Sequence, residues 1–128
     1  MARDYMHVPD LASLYLEDSY VLAISETPRR LSFMLDAVLT PAHPRYRAPL
    51  PGEQHCYATG VLIFEGITTI EWIRRSPLRS VDAAGNVDLG NIDSLTVDGA
   101  SWRIEGDWGQ VRLLSTSTPS FVNTGGHA

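Results

Sequence analysis

The sequence predicts an all-β, mainly antiparallel fold: a β-sandwich or partly open barrel of about seven strands. Three observations lead there. Apolar and polar residues alternate with a period of two over most of the chain. Turn signals rich in Gly, Pro, Asn and Asp separate these runs at short intervals. The 128 residues, 44% hydrophobic and 20% charged, suffice for a core without disulfides or a structural metal. The expected organisation is one domain over residues 1–115 and a flexible polar tail over 116–128, with no internal repeat and no linker.

The elements follow in order. Pro9 to Glu17 reads as a short helix, with Asp10 as its cap and Leu11, Leu14 and Tyr15 at helical spacing, an edge strand being the alternative. Ser19 to Glu26 is the first strand, with Tyr20, Leu22 and Ile24 on one face and Val21 and Ala23 on the other. Thr27-Pro28-Arg29 turns the chain. From Arg30 the alternation resumes, Leu31, Phe33 and Leu35 opposing Ser32, Met34 and Asp36, which makes a hairpin. Residues 41–54 hold four of the eight prolines and form a long loop, a common setting for function. His55 to Glu65 reads as a central strand covered on both sides. Ile67 to Arg75 follows a tight turn at Glu65-Gly66. Its phase is open, because Ile70 and Trp72 oppose Ile67 and Ile73. Residues 76–91 form a loop. Ile92–Val97 and Ser101–Glu105 make a hairpin about Asp98-Gly99. After Gly106-Asp107, Trp108 to Ser115 closes the sheet.

Charge narrows the function classes. The net charge is −5, all ten bases are arginine, and residues 81–128 hold two arginines against six acids. An acidic chain without a basic stripe lacks the phosphate-neutralising surface that nucleic-acid binding needs. No apolar run approaches the ~18 residues of a membrane-spanning helix. One cysteine permits no internal disulfide, and Met1-Ala2-Arg3-Asp4 lacks a secretory pattern, so the cytoplasm is the expected location.

Catalytic chemistry finds little support. His55 and Cys56 are adjacent on a strand, so they point to opposite faces and His55 does not activate the thiol. His7, His43 and His55 have no metal-ligand spacing. Asp82 to Asp88 resembles a calcium loop but places Ala84 and Val87 where an oxygen ligand and a glycine are needed. No phosphate cradle or nucleophile elbow occurs, and neither a metal nor another cofactor is expected. The long loop is the stronger candidate: His43, Arg45, Tyr46, Arg47 and Tyr57 combine the residue types that anchor interfaces with prolines that limit ordering entropy. The competing reading has Tyr46 and Leu50 plugging one end of the core. A second candidate is acidic: Asp88, Asp93 and Asp107 steer a basic partner, with Trp108 as an anchor if exposed and as core if inward.

The stretches Leu16-Glu-Asp-Ser-Tyr-Val-Leu22 and Glu105-Gly-Asp-Trp-Gly-Gln-Val111, with Phe64-Glu65-Gly66 between them, resemble small bacterial β-rich proteins. Some of those are assigned as immunity proteins of polymorphic toxin systems. The resemblance implies tight binding of a cognate toxin and carries no specific site residue. The leading expectation is therefore a non-enzymatic protein-binding module. The alternatives are a small-molecule-binding barrel or minor enzyme, with a pocket near residues 43–57 lined by Tyr46, Tyr57 and His55, and a structural, homo-oligomer-forming subunit.

Overall fold

A computed structural model describes residues 3–75, 80–81 and 87–124. Eleven strands lie among them: β1 (Arg3–Asp4), β2 (Leu14–Thr27), β3 (Arg30–Leu39), β4 (Cys56–Phe64), β5 (Ile67–Arg75), β6 (Ser80–Val81), β7 (Val87–Asp88), β8 (Ile92–Asp98), β9 (Ser101–Gly106), β10 (Gly109–Ser115) and β11 (Ser120–Asn123). They form a five-stranded sheet ordered β1-β8-β9-β10-β5, a four-stranded sheet ordered β11-β4-β3-β2, and the small β6–β7 pair, with every pairing antiparallel. The two larger sheets face each other across one core cluster and do not close into a barrel. At one edge they are stitched together: Val21 N–H donates to Gly90 C=O (2.7 Å) and Leu89 N–H to Val21 C=O (2.8 Å).

The all-β expectation holds, and the seven strands read from the sequence are all present. The helix over Pro9–Glu17 is not. Only Tyr5–His7 makes a 3-10 turn, its first turn capped by the Asp4 carboxylate on Met6 N–H. Residues 9–13 are turns, and β2 begins at Leu14. The physical reason is burial: Leu14 and Leu16 are both inside with Tyr15 outside, so period two wins over the helical spacing of Leu11 and Leu14. The tail expectation also needs correction. Ser120–Asn123 pairs with Ile63–Gly60, and the Phe121 ring lies beneath Gly60, where any Cβ would strike it and the Val122 carbonyl. Residues 125–128 and 82–86, the latter including most of the Asp82–Asp88 segment, lie outside the described residues.

Bulges settle the strand phases. In β2 the register slips between Tyr15 and Tyr20 and again between Val21 and Ala23. Tyr20 therefore faces out while Val21 and Ile24 face the core, and the expected grouping of Tyr20, Leu22 and Ile24 is broken. Buried Ser19 repairs the first slip: its hydroxyl donates to Tyr15 C=O and accepts from Val38 N–H. In β5, slips opposite both ends of β10 let Ile67, Ile70 and Trp72 all reach the core and leave Ile73 outside.

Five rings run through the core in sequence. Trp72 meets Trp108 edge-on (6.0 Å), Trp108 meets Phe33 (5.0 Å), Phe33 meets Phe64 (6.3 Å), and Phe64 meets Trp102 (5.9 Å). Trp108 is 2% exposed, although it sits in the two-residue β9–β10 turn. Its indole N–H donates to Asn91 C=O (3.0 Å), and the Asn91 amide donates to Glu17 C=O (2.8 Å). Trp108→Ala removes the ring and that hydrogen bond together. The expected loss of about 3–5 kcal/mol in urea unfolding compares with a much smaller loss for Leu114→Ala, an exposed residue on the same strand as Gly109.

Candidate functional site

The long loop and the start of β4 enclose a cavity of about 360 Å³ lined by Leu39, Pro44, Arg45, Tyr46, Arg47, Cys56, Tyr57, Ala58, Thr59 and Asn123. Four of the expected partner-binding residues, Arg45, Tyr46, Arg47 and Tyr57, thus share one site. His43 is close by in sequence but not in the lining; its ring accepts from Arg45 N–H, and burial followed by the Arg45 charge lowers its pKa. Tyr46 packs against the core, as the plug reading expects, whereas Leu50 is exposed and plugs nothing. Arg47 is held by Glu53 (3.3 Å), whose carboxylate also caps Leu50 N–H; that backbone bond first, and then Arg47, keeps Glu53 below the usual carboxylate range.

The other expected residues lie elsewhere. Asp93 on β8 and Asp107 in the β9–β10 turn are exposed and do not line the cavity. Asp88 belongs to β7, and its side chain lies outside the described residues. Trp108 takes the inward alternative and is core, not anchor: its ring, tilted against Phe33 and edge-on to Trp72, has no surface left for a partner. His55 lines a smaller neighbouring depression with Tyr15 and Pro49 rather than the main cavity. Cys56 is buried in the core cluster, on the side of the strand away from His55. Among the described residues no group of three or more His, Cys, Asp or Glu is placed to hold a metal, and no helix is long and apolar enough to cross a membrane.

The larger feature is the outer face of the four-stranded sheet. Cross-strand register places Tyr15, Val38 and Tyr57 in one row, Tyr20, Asp36 and Thr59 in the next, and Ala23, Met34, Val61 and Val122 in a third. Tyr15, Tyr20, Met34 and Val122 are between 40% and 48% exposed. His55 joins the first row, edge-on to Tyr15 (6.4 Å) and to Tyr57 (6.0 Å), and bonds the Asp18 carboxylate (3.1 Å). The outer face of the five-stranded sheet has a different chemistry. There Arg112 stands between Glu71 and Arg103 and is ion-paired to Glu71, and Thr96 flanks Arg103. One outer face thus carries a row of charged residues with Arg112 paired to Glu71, and the other is tyrosine-rich and partly apolar, with carboxylates on and beside it.

Carboxylates act on the groups of the tyrosine face. Burial first, and then Tyr20, Asp36, Asp18 and Glu53, raise the Tyr57 pKa, so its hydroxyl remains a donor. Burial followed by Glu53 raises the Asp36 pKa. No known protein family, curated protein or solved structure matches this chain at a significant level.

Tyr15, Asp18, Tyr20, Met34, Asp36 and Val122 were not among the candidates read from the sequence. Met34 and Asp36 carried a signal, since they alternate with Leu31, Phe33 and Leu35. Tyr20 carried none, because only the bulges turn it outward. Asp36 gives a pH prediction. Its folded pKa lies above its unfolded value, so the ionised group costs stability at pH 7, and that cost disappears as pH falls through the raised value and then the unfolded one. Asp36→Asn is expected to raise the thermal midpoint at pH 7. The advantage should shrink as pH falls and vanish well below the unfolded value, where Asp36 is neutral in both folded and unfolded chains. An equal shift at pH 7 and at that low pH would exclude the charge as its cause.

Proposed function

We propose that this protein is a non-enzymatic binding module that docks a basic protein on the outer face of its four-stranded sheet. The observation that carries the reading is the clustering of Tyr15, Tyr20 and Tyr57 with Asp18, Asp36 and Glu53 on and beside one exposed, partly apolar sheet face. Tyrosine supplies large contact area at low entropy cost and a hydroxyl for hydrogen bonding, which is why it concentrates at interface hot spots. Met34 and Val122 extend the apolar surface, and surrounding carboxylates favour a positively charged partner and speed its encounter. The net charge of −5 acts in the same direction at longer range.

One specific form of this function is the neutralisation of a basic toxin by an immunity-type protein in the cytoplasm, which the resemblance in sequence suggests. The acids Asp93 and Asp107, exposed on the other sheet, then contribute to steering rather than to contact.

The test is capture from lysate of the native host with wild-type and Tyr15→Ala/Tyr20→Ala baits, followed by association kinetics with the captured protein. A net-basic partner is expected, whose association slows as salt rises and whose affinity falls at least about tenfold in the double variant. Equal capture by both baits, or association indifferent to salt, would overturn the proposal. Concentration-dependent dimerisation abolished by Met34→Glu would reassign the face to self-association.

A further inference from the structure

The outer face of the four-stranded sheet holds one carboxylate that the fold itself does not use. Asp36 lies on β3, an interior strand with β2 on one side and β4 on the other. Leu35 and Ala37 are fully buried, so the Asp36 side chain is turned outward. Across the two ladders it is opposed directly by Tyr20 and Thr59. Directly opposed residues hold their Cβ atoms about 4.5–5.5 Å apart, so the carboxylate and the Tyr20 ring are side by side. Asp36 is half-buried and makes no ion pair among the described residues, and the charge that acts on it is another acid, Glu53.

The same chain shows what completes such a pair. Where β5 meets the end of β2, the Trp72 indole N–H donates to the Glu26 carboxylate (3.0 Å). The Arg75 guanidinium lies 4.3 Å from the centre of the Trp72 ring and is ion-paired to Glu26 (3.8 Å). An aromatic ring, a carboxylate and a guanidinium share one site there. Tyr20 and Asp36 repeat the first two parts on an exposed sheet, and no described arginine is ion-paired to Asp36.

We infer that Asp36 seats one arginine side chain of the basic partner, its guanidinium donating two hydrogen bonds to the Asp36 carboxylate and lying against the Tyr20 ring. This rests on the reading of the face as a docking surface and adds to it the residue that the surface recognises. Arginine fits and lysine does not. A guanidinium is a planar fork that meets a carboxylate with two parallel bonds and stacks on an aromatic ring, whereas an ammonium is a compact, strongly hydrated point charge. Charge complementarity points the same way: Glu53 acts on Asp36 and, with Asp18, on neighbouring Tyr57, while Arg47 is already taken up by Glu53. Met34, exposed and next on the same side of β3, offers an apolar ledge to the arginine's methylene stem. The ionised Asp36 costs the free fold stability, and a bound guanidinium offsets that cost only in the complex.

The probes are capped tripeptides, N-acetyl-Gly-Xaa-Gly-amide, with arginine, lysine or citrulline in the centre, citrulline being the neutral isostere of arginine. They are added to the full chain at pH 7 and low salt, and binding is followed by the side-chain carboxyl carbon of Asp36 and the ring signals of Tyr20. The expected result is saturable displacement of both by the arginine probe. Its affinity should exceed that of the lysine probe by about threefold and that of the citrulline probe by about tenfold. Asp36→Asn, whose folding the remaining resonances report, is expected to reduce the arginine probe to the level of citrulline. Asp18→Asn, which removes a carboxylate already bonded to His55, is expected to keep the arginine preference. An arginine affinity no higher than that for lysine, displacement that spares Asp36 and Tyr20, or no saturation up to about 50 mM would each overturn the inference. The proposed docking function would survive those results, since it fails instead on equal capture by the wild-type and Tyr15→Ala/Tyr20→Ala baits.

Discussion

The fold depends on one hydrogen-bonded ring in an unusual place. Trp108 belongs to the two-residue turn between β9 and β10, a position normally given to small polar residues facing water. Here the indole turns inward and fills the space between the sheets, tilted against Phe33 of one and edge-on to Trp72 of the other. Burying an indole N–H without a partner would cost more than the ring's packing gains at the margin. Asn91 C=O removes that cost, and the Asn91 side chain passes the connection to Glu17 C=O on β2. Gly106 is required by the same arrangement, since a Cβ there would collide with both the Asn91 carbonyl and the Trp108 indole nitrogen. A turn thereby becomes a bolt between two sheets that are also joined by Leu89 and Gly90 to Val21, by the Trp72 indole N–H to Glu26, and by Ile67 N–H to Arg29 C=O.

With the inner faces fixed by this core, the outer faces are free to differ, and the bulges of β2 decide how. Without the slip before Tyr20, the alternation of Leu14 and Leu16 would continue and put Tyr20 inside and Val21 outside. The slip delivers Tyr20 to the outer surface opposite Asp36, and buried Ser19 supplies the hydrogen bonds that the interrupted ladder loses. A bulge that re-aims one side chain and is sealed by a buried hydroxyl is a costly local feature. Its main product is a tyrosine placed beside a carboxylate on an exposed sheet, which bears on interaction more than on stability.

How much of this was legible in the sequence follows from which forces are local. The alternation of Leu31, Phe33 and Leu35 with Ser32, Met34 and Asp36 is a property of the residues themselves, and β3 follows it without interruption. The Gly99 turn is equally local, with φ at +61° in the first central position of the β8–β9 hairpin. The 43–57 loop stood out by composition, and Arg45, Tyr46, Arg47 and Tyr57 do converge there. What could not be read depends on partners distant in the chain. The helix expected at Pro9–Glu17 loses to a ladder with Leu39. The polar tail becomes a strand because Gly60 leaves room for Phe121. Trp108 and Tyr20 have similar turn-and-strand surroundings in the sequence, and only tertiary contacts send one inward and the other outward.

The proline loop joins these strands to the binding surface by a constraint on edges. Among the described residues the β11 ladder runs from Ile63 to Gly60, and one further bond, from Thr124 N–H, reaches Thr59 C=O, short of the first residues of β4. An unpaired edge invites indiscriminate strand pairing, and proteins commonly guard against this with prolines and charged side chains. Pro44, Arg45 and Arg47 stand across the cavity from that edge and make no ladder with it. Proline has no N–H to donate, so the loop can screen the edge without zipping onto it. The screen also leaves a gap, because a loop that cannot pair cannot close fully. The same residues therefore do two things: they stand beside the start of β4 without pairing with it, and they wall the cavity that Arg45, Tyr46 and Arg47 line.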